Sequence, residues 1–366
     1  MYADLFLRFN VDRREKDLAG GAKLGEFFWD NMTELYQSLR IPCLPKAVDK
    51  WLSRGPFVVQ WGLVGKLSTE VLDMIFEVLL DDMNQDLTDN FLDCIFFAIC
   101  CKRLLSVGKR HILRALISQH ARAADCRLVC LGEYAGADDQ APPGMLTDAE
   151  LKEIATTPGP DEDEYESADD AIAARCFYTF ALESYEPYYV AGRSLLDPLR
   201  DISEEIHNIR WDRGKTIGPP YSLDLDMIAA LGGVDSYYPK PEYPEGPIVL
   251  CNMSKGEYVR EDKLVVWEMG WRRVTLAQAL LSRICYSWDP SISMWCGEEY
   301  IDKLVKGPWA GDRFRITIAD EMPWLKGGKE WKDVTKDVNA LLCHLLGREM
   351  AEEEVARDDE ALGGRR

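Results

Sequence analysis

The string Trp-Ala-Gly-Asp-Arg at 309 to 313 sets a carboxylate beside a guanidinium, Asp312 and Arg313, which together could bind a polar ligand in an enzyme pocket. A structural role accounts for the same string, with Gly311 making a turn and the Asp-Arg pair fixing the start of a strand. Cys100, Cys101, His111, Cys126 and Cys130 carry metal-ligand chemistry. A structural zinc site normally shows two close ligand pairs at regular separation, and the one loose pair here is Cys126-x3-Cys130. No metal and no cofactor are expected. Nucleophilic catalysis needs a base beside Cys or Ser. His111, His120, His207 and His344 all fall in expected helices without a nucleophile motif. Gly20-Gly21 and Gly232-Gly233 lack the frame of a phosphate loop. No catalytic residue is assigned, and the expectation is a binding protein, not an enzyme.

Composition narrows the partners. The 366 residues carry 43 Lys plus Arg against 63 Asp plus Glu, a formal charge of -20 that opposes a polyanion, so nucleic acid is not an expected partner. No apolar run approaches the ~20 residues that span a bilayer, and no signal peptide is evident, which points to cytoplasm or nucleus and away from the membrane. A hydrophobic content of 47% with 11 Trp supports globular packing in two or two and a half structural units. The 11 cysteines are read as reduced, since Cys94, Cys100, Cys176 and Cys251 fall among apolar neighbours.

The elements that must position these residues follow from periodicity. Residues 1–65 mix aromatic and charged side chains and are expected to form a helical extension. A helix runs from the cap Ser68 to about Leu80, with Glu70 in its first turn. Glu70, Asp73 and Glu77 line one narrow stripe, and apolar residues occupy the other positions, so that helix needs cover on more than one side. A second helix buries Leu92, Ile95, Phe96, Ile99 and Cys100, and a third spans about Arg103 to His120. Beyond them lie a strand at 127–131, a helix capped by Thr147, an acidic linker at 156–170, and helices at 171–185 and 195–211. Proline-rich irregular structure follows at 212–247. Strands are expected at 248–251, 258–259, 264–267 and 313–318, helices at 275–286 and 334–346, and a charged tail over 348–366. The expected domains are thus 1–65, a three-helix unit at 66–120 and an α+β domain at 121–347 with a mainly antiparallel sheet and flanking helices. Seven Trp crowd the last third, from Trp267 to Trp331, as core or as a binding surface.

One internal echo stands out. Ala124-Asp-Cys-Arg127 leads into LVCL as Ala310-Gly-Asp-Arg313 leads into FRITI, each followed within about twenty-five residues by a helix with Thr near its start.

The strings KLSTEVLDMIFEVLL (66 to 80) and FFAICCKRLLSVGKRHI (96 to 112) resemble the F-box pattern, with its apolar opening helix and later Cys-Lys element. Ser68 stands where Pro is usual, and the connector Asp81 to Asn90 is acidic and somewhat long. The resemblance implies an F-box-like adaptor docking a Skp-type adaptor of a cullin-based ubiquitin ligase and receiving an unknown protein substrate. The positions matching the docking motif are Leu67, Val71, Leu72, Ile75, Phe76, Cys100, Cys101 and Leu104. The alternative is a stand-alone interaction or scaffold protein, with FVVQWGLVG (57 to 65) covering that helix. CNMSKGEYV, WEMGW and PWAGDRFRI (251 to 316) are similar to a module recurring in eukaryotic proteins, and with RLVCLGEYA and PPGMLT the arrangement resembles proteins of mushroom-type fungi. That likeness implies common architecture and no chemistry.

Overall fold

The computed structural model describes residues 6–16, 23–29, 32–54, 62–81, 87–132, 141–157, 176–187, 231, 241–267, 272–287 and 298–345. The chain begins with β1 (Phe6–Asn10), β2 (Glu15–Lys16), α1 (Leu24–Trp29), α2 (Thr33–Leu39), α3 (Lys46–Ser53), α4 (Leu63–Lys66), α5 (Thr69–Asp81), α6 (Leu87–Ile99) and α7 (Lys102–His120). Then come β3 (Leu128–Gly132), α8 (Asp148–Thr156), α9 (Phe177–Ser184), β4 (Glu186–Pro187), β5 (Ile248–Asn252) and β6 (Glu257–Arg260). The last stretch holds β7 (Val266–Trp267), β8 (Arg272–Arg273), α10 (Leu276–Ile284), α11 (Glu298–Val305), β9 (Phe314–Ile318), β10 (Lys332–Asp333) and α12 (Thr335–Leu345). The fold class is α+β.

Two compact units divide the chain: a body drawn from Met1–Leu39, Ala123–Val190 and Gly246–Arg366, and a helical unit drawn from Arg40–Arg122 and Ala191–Glu245. The body holds two four-stranded sheets, in the orders β3-β1-β2-β4 and β9-β5-β6-β10. In each, the first two pairings are antiparallel and the third is parallel.

The two sheets repeat one design residue by residue. Asn10 pairs with Glu15 and Leu128, and Asn252 pairs with Glu257 and Phe314. Val11 N donates to Arg127 O at 3.0 Å, and Met253 N to Arg313 O at 2.7 Å. Glu186 N reaches Arg14 O, and Lys332 N reaches Gly256 O, both at 2.9 Å. The turn after the first strand is built alike in both: Asn10 Oδ1 accepts from Arg13 N at 3.2 Å, and Asn252 Oδ1 from Lys255 N at 3.0 Å. Each turn ends in a left-handed residue, Arg14 (φ 54) in one half and Gly256 (φ 71) in the other.

Helices extend the correspondence. Ala123 N donates to Ser38 O near the end of α2, at 2.8 Å, as Trp309 N donates to Arg283 O near the end of α10, at 2.9 Å. The halves meet reciprocally, Asp125 N bonding Phe314 O and Gly311 N bonding Leu128 O, at 2.6 and 2.8 Å. Such reciprocity is the mark of an approximate two-fold relation. The echo around Arg127 and Arg313 is therefore a structural repeat. The helices begun by the two threonines are not counterparts, since α8 precedes β4 and α12 follows β10.

The repeat explains where the helical unit enters. The chain leaves the body after Leu39 and returns at Ala123, whose hydrogen bond to Ser38 closes the gap. The other half spans the corresponding gap with the stretch holding α11. Chain ends brought this close are what make a domain insertion tolerable.

Residues 6–16 form strands where a helical extension is expected. β1 is buried on both faces: Phe6 joins the core with Leu250, Leu280 and Ile316, while Leu7 and Phe9 join Val129, Phe177 and Tyr178. A strand covered on both sides shows no clean polar alternation, so its signal is weak. Other expected elements are present with changed limits. The strand expected at 264–267 is shortened to β7, and α11 adds a helix. Of the helix expected at 171–185, the described part is α9, capped by Cys176 and Thr179. The helix at 195–211 lies outside the described residues, as do most of 156–170 and 212–247 and the tail from 346. Reciprocal capping boxes start α8 (Thr147 with Glu150) and α10 (Thr275 with Gln278).

Candidate functional site

In the helical unit, α5, α6 and α7 pack around Leu72, Phe76, Phe91, Ile95, Leu104 and Ile112, all nearly inaccessible. Three of the eight residues matching the docking motif, Leu72, Phe76 and Leu104, are thus core of the unit itself. Leu67, Ile75 and Cys101 are half-buried, and Val71 and Cys100 are exposed. Phe76 stacks on the buried His111 ring at 5.4 Å, and His111 Nε2 meets Asp73 Oδ1 at 3.0 Å. That hydrogen bond, with Arg110 adding to it, holds the Asp73 carboxyl below the usual range. Asp73 therefore turns inward instead of completing an acidic stripe with Glu70 and Glu77.

What α5 shows to solvent is partly apolar. Val71 is 40% exposed, Met74 62% and Val78 71%, and their i, i+3, i+7 spacing places them on one stripe, with exposed Glu70 and Glu77 along its edge. Val64 before the helix is also exposed. Of the segment 57–65, expected as cover, residues 57–61 lie outside the described residues. Gly65 O and Leu67 O accept hydrogen bonds from the Arg103 guanidinium, which ties α4 and the start of α5 to α7.

Asp312 and Arg313 sit where the two halves of the body meet, and both are engaged by protein groups. Asp312 Oδ2 accepts from Asn252 Nδ2 at 2.8 Å and lies 3.2 Å from Lys255 Nζ. Arg313 donates to Asp12 Oδ2 and to Asp125 O, each at 2.7 Å. Its counterpart Arg127 grips Asp12 Oδ1 and Glu150 Oε1, each at 2.8 Å. Hydrogen bonding by Arg127 pulls the Glu150 carboxyl down to about 2. Burial alone would raise Asp12, but Arg127, with Arg313 behind it, outweighs burial and holds that carboxyl low. The cluster is an electrostatic clasp between halves.

The other chemistry-bearing residues are dispersed. Cys100, Cys101 and His111 belong to the helical unit, whereas Cys126 and Cys130 belong to the body. Among the described residues no group of three His, Cys, Asp or Glu side chains is placed to hold a metal. Burial pushes His120 down to about 4, and His344 stacks on Tyr300. His207 lies outside the described residues. Of the Trp-rich last third, Trp309 is fully buried and Trp324 fully exposed.

A cavity that sequence reasoning missed opens in the first half of the body. It is small, about 40 Å³, and is lined by Arg8, Asn10, Glu15, Ser38, Ala123 and Ile284, among others. Its signal in the sequence was only a contrast, Ala123 before one Ala-x-x-Arg string and Trp309 before the other. Glu15 and Ser38, each 3% exposed, share its wall with Arg8, Asn10 and Lys16 and with the apolar Phe9, Leu35, Leu128 and Ile284.

The fold and these surfaces define an α+β protein with an inserted helical unit. Comparison of the chain with protein-family models, curated proteins and solved structures finds no match in any of the three. Among the described residues no helix is long and apolar enough to cross a membrane.

Proposed function

We propose that the chain is an F-box-like adaptor, acting by binding and not by catalysis, whose helical unit docks a Skp-type adaptor of a cullin-based ubiquitin ligase in the cytoplasm or nucleus. The observation that carries this reading is the solvent-facing apolar stripe Val71, Met74 and Val78 on α5, within the segment that resembles the F-box. The α+β body would then receive a protein substrate. Docking would use that stripe with the half-buried Leu67 and Ile75, while Leu72, Phe76 and Leu104 would support it from beneath.

The experiment is a binding titration of the full chain with a purified Skp-type adaptor. Changing Val71, Met74 and Val78 to Asp together should weaken binding by about 100-fold or more, on the scale of a lost hot-spot cluster, with the circular dichroism spectrum unchanged. Leu72→Asp is an unsuitable probe, because Leu72 is fully buried and a charge there unfolds the unit. Unchanged affinity in the triple variant would sink the proposal. A second reading, a stand-alone scaffold, draws support from the burial of Leu72, Phe76 and Leu104 within the chain's own core. It predicts that no cullin subunit co-purifies with the full chain.

A further inference from the structure

Charge is sorted along the helical unit. From Leu67 to Cys101 the sequence holds eight Asp or Glu and no Lys or Arg, and from Lys102 to Arg122 it holds six Lys or Arg and no Asp or Glu. The first stretch contains α5 and α6, and the second is α7 with the two residues after it. Folding cancels little of this separation. One carboxylate of α5, Asp73, crosses to α7 and pairs with Arg110, while Glu70 and Glu77 stay exposed on α5. The helix α3, which also packs on α7, adds a second basic row: Lys46, Lys50 and Arg54 follow at i, i+4 and i+8 along one exposed stripe. Lys102 joins the two rows, donating to Arg54 O and lying 5.9 Å from the centre of the half-buried Trp51 ring, and Lys109 meets Asp49 at 3.2 Å. Gly65 O and Leu67 O hold the Arg103 guanidinium without cancelling its charge. Lys50, Arg54 and Arg114 are exposed, and no carboxylate among the described residues pairs with them.

We propose that the basic face formed by α3 and α7 is a docking surface for a carboxylate-rich segment of another protein, with Lys50, Arg54 and Arg114 as the recognising charges. Charge complementarity is the argument. The whole chain has a formal charge of -20, so a face with basic rows on two helices is a local reversal of its field. Charges in physiological salt are screened beyond ~8 Å, so a short segment lying along α7, 19 residues and roughly 28 Å long, senses these rows and little of the acidic chain around them. A nucleic acid extends its phosphates past the face toward Glu70 and Glu77 and is opposed there. Exposed ion pairs are individually weak, so recognition comes from several at once and depends on salt. The face belongs to other helices than the docking stripe on α5, so failure of one reading leaves the other standing.

The probe is a short fluorescein-labelled polyglutamate peptide, followed by fluorescence anisotropy against the full chain at low and at physiological salt. Saturable binding that weakens as salt rises is expected. Lys50→Glu, Arg54→Glu and Arg114→Glu together should weaken it about tenfold or more. All three side chains are exposed, and an unchanged circular dichroism spectrum checks that the fold is kept. Lys326→Glu, Lys329→Glu and Lys336→Glu, three exposed positions on the body, make the same change in net charge and should leave the affinity within about twofold. That control separates a defined face from the charge of the whole molecule. A single-stranded oligonucleotide of equal charge should bind about tenfold more weakly than the peptide, or weaker still. Absence of saturable peptide binding at low salt overturns the proposal. So do equal losses in the two triple variants, or oligonucleotide binding as tight as that of the peptide.

Discussion

The two halves of the body share a backbone plan and differ in what they place upon it. Asn and Glu recur at the ends of the strand-turn-strand, Asn10 and Glu15 against Asn252 and Glu257, and Arg127 recurs as Arg313. The asparagines hold the turns and the arginines clasp the junction, so the hydrogen-bond geometry depends on them. The inner positions are free to diverge, and they have diverged oppositely: one half is filled by Trp309 and Arg283, the other hollowed at Ala123 and Ser38. A repeat thus locates the residues available for function, because the second copy records what the fold needs without them.

The largest test of that contrast is Trp309→Ala. It removes a fully buried indole together with its hydrogen bond to Glu257, and urea unfolding should show a loss of about 3–5 kcal/mol. The matched truncation Ala123→Gly borders an existing cavity and should cost about 1 kcal/mol or less. Equal losses would mean that the halves are packed alike and the hollow has no significance.

The clasp gives the next contrast. The Arg127 side chain is 14% exposed and serves both Asp12 and Glu150, whereas Arg313 is 45% exposed and serves Asp12 and a backbone carbonyl. Arg127→Ala should cost about 2–3 kcal/mol, because Glu150 loses its cation and Asp12 keeps only Arg313, and Arg313→Ala less than about 1 kcal/mol. Acid provides the same test without mutation. The Glu150 carboxyl titrates near 2 in the folded chain against an ordinary value of 4.5. Its folded value is depressed, so its contribution is fully present above pH 4.5 and lost as pH falls toward 2. Glu150→Gln should flatten the stability profile across that window, and an unchanged slope would remove Glu150 from the clasp.

Much of this was legible in the sequence, for reasons that differ by element. The Thr147 and Thr275 starts are local signals, because a capping box is written within four residues. β9 was legible from its alternation of Phe314, Ile316 and Ile318. The echo of Arg127 and Arg313 was visible in the correct register, although the threonine helices attached to it were not counterparts. β1, β2, β4 and β10 were not legible: three of them are two residues long, and the fourth is buried on both faces. The outer face of α5 was half legible. Its apolar excess was plain, but which apolar residues face inward depends on α6 and α7, so Met74 and Val78 were absent from the expected docking set and Leu72 and Phe76 were in it. The cavity left only the contrast of Ala123 with Trp309, because a hollow is a property of neighbours brought together from distant parts of the chain.

The smallest effect separates the two turns. Gly256 and Arg14 both close a turn in the left-handed region, where a side chain typically costs about 1–2 kcal/mol. Gly256→Ala adds that strain, and its Cβ would also lie 2.6 Å from Leu325 Cδ1, so a loss of about 1–2 kcal/mol is expected. Arg14→Gly relieves the same strain but gives up the exposed pair with Glu153 and frees the unfolded chain, so the net change is small. Thermal unfolding of both variants should therefore show a lowered midpoint for Gly256→Ala and almost none for Arg14→Gly. In Glu153→Gln, where that pair is already weakened, Arg14→Gly should become stabilising. A destabilising Arg14→Gly in that background would mean that the arginine is kept for a contact within the first half that the second half does not need.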